Sequence, residues 1–294
     1  MKFKFYLLIA TVSFFINLES TFAFSTTNFS SCNGKALSQI SSSNLTESSS
    51  SLFLSEAFPD SSVSECAKYF YNLGNRAKAS EKYKKAVEFY DKAIEVEPLF
   101  FAAWNNRGMA LSSWGKNIEA IKSYNRAIEI NPHHRFPWYN KGISHGRMKE
   151  YAKAIESYNK AIEISPDYVS AWYNKGNSLR DSGKFVEAIE SFNKAISLQP
   201  DNFKAMGNIA LILCQQQKCA KALKYTQQAV AIESDDALAW EINGYILFSL
   251  KQYDKAELSY HKSLDINPKN KRVKSVLRRI MFLKLFDRLC KLFG

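Results

Sequence analysis

The residues best able to do chemistry in this 294-residue chain are five cysteines and four histidines. Cys32, Cys66, Cys214, Cys219 and Cys290 include no CxxC pair, so zinc-type spacing is lacking. Cys214 and Cys219 stand five apart, and a local disulfide is conceivable there in an oxidising compartment. Two small buried residues is the plainer reading and the one preferred from sequence. His133 and His134 sit together in a polar stretch, while His145 and His261 stand alone, so no metal site is expected. Glu129 and Glu163 recur at the repeat interval, where solvation or i,i+4 pairing with lysines is the ordinary role of such carboxylates. A phosphate-binding glycine loop, a nucleophile elbow and an HExxH helix are all missing. The expectation is therefore no catalytic residue, no metal and no cofactor: a protein that is not an enzyme.

What positions these residues is a repeat. Pro98, Pro132, Pro166 and Pro200 are 34 residues apart, and Pro268 falls two periods further on. Each closes a similar phrase: DKAIEVEP, NRAIEINP, NKAIEISP, NKAISLQP and HKSLDINP. With that proline as position 32, six repeats run over 67–100, 101–134, 135–168, 169–202, 203–236 and 237–270. Position 4 holds Phe70, Trp104, Trp138, Trp172, Met206 and Trp240; position 8 holds Gly74, Gly108, Gly142, Gly176, Ala210 and Gly244. Position 20 is alanine throughout, and position 24 is Tyr90, Tyr124, Tyr158, Phe192, Thr226 and Tyr260. Small residues at 8 and 20 let two helices approach, and large rings at 4 and 24 fill the space beside that contact. Proline at 32 ends the second helix. A single hairpin cannot bury its apolar faces, so stability must come from stacking. The fifth repeat departs most, with Met206, Gly207, Ala210, Cys219, Thr226 and Ser234, and lost ring volume predicts a looser junction there.

These columns resemble the tetratricopeptide-repeat family, whose pattern has Trp at 4, Gly at 8, Ala at 20, an aromatic at 24, Ala at 27 and Pro at 32. The resemblance covers 67–270 and implies an all-α, right-handed solenoid of six helix-turn-helix repeats. In this family positions 2, 5, 6, 9, 12 and 13 face a concave surface. Carried over, that frame places an asparagine ladder there: Asn72, Asn106, Asn140, Asn174 and Asn208 at position 6. A primary amide both donates and accepts, matching peptide main chain whatever its side chains. The ladder is similar to that in the superhelix of O-linked N-acetylglucosamine transferases, where it holds extended peptide. Beside it the frame puts Tyr71, Tyr139 and Tyr173, Phe136, Arg147 and Arg180, and Lys68 and Lys204, a set suited to an extended, partly acidic segment. The clamp that grips acidic chaperone tails does not fit, because position 5 is never Lys and position 6 is never Arg.

The flanks carry a different message. Lys2 and Lys4 precede an apolar run, Phe5–Leu18, with Thr21 and Ala23 placed for cleavage, so 1–23 reads as an export signal or membrane anchor. Residues 24–65 are serine-dominated and read as a disordered linker, with glycosylation acceptor patterns at Asn28 and Asn44. Of a net charge of +12, the tail 271–294 holds eight Lys/Arg against one Asp. It reads as a basic amphipathic helix with two stripes. Val273, Val276, Leu277, Ile280 and Leu283 suit a cap on the last repeat. Phe282, Leu285, Phe286, Leu289, Leu292 and Phe293 point the other way, opposite Lys284, Arg288 and Lys291. That second stripe fits an anionic membrane surface, a partner or a homodimer. Together these features predict an exported (secreted, periplasmic or lumenal), membrane-associated scaffold whose groove binds an extended peptide segment. A membrane-associated assembly chaperone is the alternative. Nucleic-acid binding ranks below both, because the array shows no continuous basic stripe.

Overall fold

A computed structural model of the chain describes the backbone of residues 60–293 and the side chains of 65–290. The expected leader (1–23), the acceptor sites at Asn28 and Asn44, and the linker as far as residue 59 lie outside the described residues. Among the described residues the first helix, α1 (Asp60–Ala79), begins inside the stretch expected to be linker. Twelve more follow: α2 (Tyr83–Val96), α3 (Phe101–Ser113), α4 (Asn117–Ile130), α5 (Arg135–Arg147), α6 (Tyr151–Ile164), α7 (Val169–Asp181), α8 (Phe185–Leu198), α9 (Phe203–Gln215), α10 (Cys219–Ile232), α11 (Ala237–Ser249), α12 (Tyr253–Ile266) and α13 (Lys271–Phe293). No strand occurs among the described residues. The architecture is an all-α solenoid of helical hairpins, divided into two compact units, one ending at Ile130 and the other beginning at Asn131.

Each repeat is one hairpin, and its turn has a feature that the residue types hide. Position 15 takes a left-handed backbone in all six repeats: φ is 57° at Glu81, 86° at Gly115, 60° at Lys149, 81° at Gly183, 62° at Gln217 and 58° at Lys251. The next amide then reaches back to cap the first helix, as in Lys184 N to Leu179 O at 2.8 Å and Lys218 N to Leu213 O at 2.8 Å. Glycine adopts this conformation freely, yet only two of the six positions carry it.

The glycine column serves a ring. A Cβ on Gly74, Gly108, Gly142 or Gly176 would lie 2.5–2.7 Å from Cε1 of Tyr90, Tyr124, Tyr158 or Phe192. These rings are buried, and each packs against the glycine of its own hairpin partner. Ala86, Ala120, Ala154, Ala188, Ala222 and Ala256 at position 20 are wholly buried. Burial of one such ring stabilises by about 1.5–3 kcal/mol.

The four tryptophans at position 4 do something else. They are half-buried rather than central, and each indole N–H donates to a carbonyl in the preceding turn. The bonds run from Trp104 to Pro98 (2.8 Å), Trp138 to Pro132 (3.1 Å), Trp172 to Pro166 (2.9 Å) and Trp240 to Ser234 (2.7 Å). Ser234 shows that the carbonyl, not the proline ring, is the partner. Along the C-terminal edge, Val273 and Ile280 are fully buried against Leu247, Ala256 and Tyr260, with Val276 and Leu277 beside them, so the first half of α13 caps the sixth repeat.

Candidate functional site

Position 6 asparagines stack successive first helices before they can bind anything else. In the N-terminal unit, Asn106 Nδ2 donates to Tyr71 Oη at 2.9 Å and to Asn75 Oδ1 at 3.0 Å. In the C-terminal unit, Asn174 Nδ2 donates to Tyr139 Oη at 2.8 Å. Asn208 Nδ2 donates to Tyr173 Oη at 3.3 Å and to Asn177 Oδ1 at 3.2 Å. The rule is a tyrosine at position 5 accepting from the asparagine 35 residues on. Both columns were legible in the sequence, but not that they bond to each other.

This bonding sorts the candidate residues. Asn208 is buried, and its carbonyl accepts from the Arg180 guanidinium, which also pairs with Asp181 at 2.8 Å. Both amide groups of Asn208 are therefore engaged within the protein. Asn72, at the start of the column, is exposed, and Asn140 is half-buried on α5. Arg147 is exposed in the last turn of α5. Burial raises the Tyr139 phenol above its ordinary value, with the Asn174 and Ser170 hydrogen bonds opposing that rise. The phenol therefore stays protonated at neutral pH.

Four of the predicted residues converge. Tyr139, Tyr173, Asn174 and Lys204 line one open groove of about 430 Å³ in the C-terminal unit. Its remaining walls are Val169, Ser170, Gln199, Asp201, Asn202 and Phe203. These last residues come from the inter-repeat turn and from the first two positions of each repeat, where no column stands out in sequence. Lys204 is exposed at the rim, its Nζ 5.7 Å from the Phe203 ring centroid, and Asp201 supplies the opposite charge. The groove thus offers tyrosine faces, an amide and one charge of each sign. No group of three His, Cys, Asp or Glu side chains suited to a metal ion occurs among the described residues.

Cys214 and Cys219 differ from the expectation of two separate thiols, because they are joined in a disulfide across the α9–α10 turn. Positions 12 and 17 face each other there. In the second repeat the same two positions hold Ser112 and Asn117, hydrogen-bonded at 3.2 Å. Cys290 is a free, exposed thiol.

Models of the tetratricopeptide repeat match residues 67–100, 101–134, 137–168, 169–202 and 208–271, well over half of the chain. The chain belongs to the tetratricopeptide-repeat family. Within this tetratricopeptide-repeat chain, a 40-residue stretch is 50% identical to UDP-N-acetylglucosamine--peptide N-acetylglucosaminyltransferase of Giardia intestinalis, covering 14% of the chain and 3% of that protein. A 50-residue stretch is 40% identical to an uncharacterized protein of Methanocaldococcus jannaschii, covering 17% of the chain and 58% of that protein. The chain therefore spans less than two thirds of either relative. Among solved structures it is similar to PilF of Pseudomonas aeruginosa, with a TM-score of 0.62 at 16% identity over 74% of this chain and 99% of that one. YrrB, described as having an unusual peptide-binding site, matches with a TM-score of 0.52 at 20% identity over 64% and 97%. MamA of Desulfovibrio magneticus RS-1 matches at 0.54 and 19% identity over 57% and 95%. At such identities these likenesses concern the tetratricopeptide-repeat fold alone.

Proposed function

We propose that this protein is a non-catalytic scaffold that holds an extended segment of another polypeptide in the groove built by α5, α7 and α9. The observation that carries this reading is the convergence of Tyr139, Tyr173, Asn174 and Lys204 on one open groove. Tyrosine faces supply apolar area at low entropic cost, and the Asn174 carbonyl is oriented by the hydrogen bond that its Nδ2 donates to Tyr139 Oη. The ladder's inter-repeat bonding favours contact through a few rungs over contact through all five asparagines. Selection from a phage-displayed random dodecapeptide library, using the wild-type chain and a Ser170→Arg variant, tests it. Ser170 is exposed on the groove wall, so arginine there fills the groove without disturbing the core. Wild type is expected to enrich peptides that the variant does not hold. Equal binding by both would place the ligand elsewhere.

A second reading concerns α13, where one observation favours a tether, as in a membrane-associated scaffold or assembly chaperone. Phe282 is 66% exposed, and Leu285, Phe286 and Leu289 are exposed on the same face, with Arg278 and Arg279 beside its start. Lys284 is not available to headgroups, since it bridges Asp254 at 2.5 Å and Glu257 at 2.8 Å on α12. No helix among the described residues is long and apolar enough to cross a membrane. The Cys214–Cys219 disulfide supports an exported, oxidising location. Co-sedimentation with anionic vesicles is expected to fall sharply for a Phe282→Ser/Phe286→Ser variant. Unchanged sedimentation would leave the stripe to a protein partner or a second copy.

A further inference from the structure

Repeats one and three each fill one place with three rings, and repeat five, beside the groove, leaves the same place empty of them. Tyr71 lies against Tyr90 and Phe100, with centroids 5.9 and 5.1 Å apart. Tyr139 lies against Tyr158 and Tyr168 at 5.9 and 4.9 Å. These residues occupy positions 5, 24 and 34. In repeat five the same positions are Gly207, Thr226 and Asp236. Each replacement removes a ring, and the three removals coincide in space.

The result is a small pocket of about 100 Å³ between α9, α10 and α11. Phe203, Thr226, Ala229, Leu238, Ala239 and Ile242 form much of its lining, with Gly207 at the missing ring. The Asp236 carboxylate caps α11, accepting from Ala239 N at 2.7 Å, and with Lys204 and Asn208 it forms the polar part of a mostly apolar lining. The pocket also shares Tyr173, Phe203 and Lys204 with the groove, so one ligand reaches both. For scale, an apolar cavity of about 150 Å³ takes up benzene, and this pocket, being open to the groove, need not enclose a ring completely.

We propose that the ringless site at Gly207, Thr226 and Asp236 receives an aromatic side chain of the polypeptide lying in the groove. The ring replaces what the protein supplies for itself in repeats one and three. It sits against Phe203 and Ile242, and the exposed Lys204 ammonium reaches its outer face. Main-chain contacts along the groove are indifferent to sequence, whereas this pocket selects at one residue of the ligand. The inference rests on the groove reading, and its test separates the two.

The probe is the same dodecapeptide library, selected on the full wild-type chain and on a Gly207→Tyr variant, which restores the ring of the position 5 column. A Cβ at 207 would lie 3.1 Å from Ile242 Cδ1, the movable end of a side chain, which must give by a few tenths of an ångström to admit it. Wild type is expected to enrich peptides sharing one aromatic residue. Replacing that residue by alanine should weaken wild-type binding roughly tenfold or more and leave binding to Gly207→Tyr unchanged. Enriched peptides with no shared aromatic, or an equal loss in both chains, would overturn the pocket while the groove stands. Enrichment of no peptide, or enrichment that survives Ser170→Arg, would overturn the groove and the pocket with it. Should Gly207→Tyr not fold, Ala210→Gly/Thr226→Tyr fills the same space from α10 with the glycine-and-ring pair of the other repeats, and the same readouts decide.

Discussion

Repeats three and five share a backbone and hold it by different means. In repeat three the Tyr158 ring lies on Gly142, where a Cβ would approach Cε1 to 2.6 Å. In repeat five Thr226 stands where the ring would be, and Ala210 fills the bare backbone with a methyl group. Thr226 instead ties repeat five to repeat six: its Oγ1 donates to Asn243 Oδ1 at 2.7 Å, and Asn243 Nδ2 donates to Ser259 Oγ at 2.9 Å within repeat six. Across the helix turn, repeat three sets His145 Nδ1 2.6 Å from Glu150 Oε2, while repeat five has the Cys214–Cys219 disulfide. Columns of a repeat protein are therefore kept as pairs rather than as single residues. When both members change together, the hairpin survives. What repeat five gives up is ring volume on the side of the groove, not its own closure.

The largest effect should come from breaking one such pair. Tyr158→Thr alone copies one half of repeat five into repeat three, and is expected to cost about 3–5 kcal/mol through the cavity it leaves. Gly142→Ala alone should cost about 1–3 kcal/mol by overpacking, even though alanine is the better helix former. The double variant should be more stable than Tyr158→Thr, because the methyl now occupies vacated space. Native-state hydrogen exchange of α5 and α6 amides measures all three. A double variant no better than the single would show that the glycine and the ring act independently.

Reducing repeat five to ordinary means is the next test. Cys214→Ala/Cys219→Ala removes a cross-link closing a short loop, which is expected to cost about 2 kcal/mol in urea unfolding. Ala210 and Ala222, wholly buried in one apolar cluster with Ile246, should keep the hairpin folded without it. Loss of α10 protection at once, rather than a shifted midpoint, would mean that the disulfide alone closes this repeat.

Much of this was legible in advance, for a physical reason. A 34-residue beat fixes register, and register fixes which side chains share a face, so the hairpins and the capping half of α13 followed from Gly74, Ala86, Tyr90, Val273 and their kin. Pairing across repeats did not follow. Tyr139 and Asn174 each stood out as columns, yet nothing in one sequence says that a phenol 35 residues back is the amide's partner. The same limit hid the indole bonds to the preceding turn and the ionic tie of Lys284, which looked like a free cation on a tail. Lost volume predicts a looser fifth junction, and a volume argument does not see the buried Thr226–Asn243 hydrogen bond that crosses it.

The smallest effect sharpens the comparison at a position that composition conceals. Position 15 is left-handed in every repeat, so its demand on the residue is the same in repeats four and five, which carry Gly183 and Gln217. A Cβ at Gly183 would meet nothing within 4 Å, so only backbone preference is at stake there. Gly183→Ala should then cost about 1 kcal/mol, and Gln217→Gly should gain about 0.5–1 kcal/mol, the relief of a strained φ offset in part by glycine's extra freedom when unfolded. Urea midpoints of the two variants give the signs directly. Opposite signs of similar size would establish that every repeat bears the same turn strain. A neutral Gln217→Gly would mean that the neighbouring disulfide already holds the turn left-handed in both folded and unfolded chains.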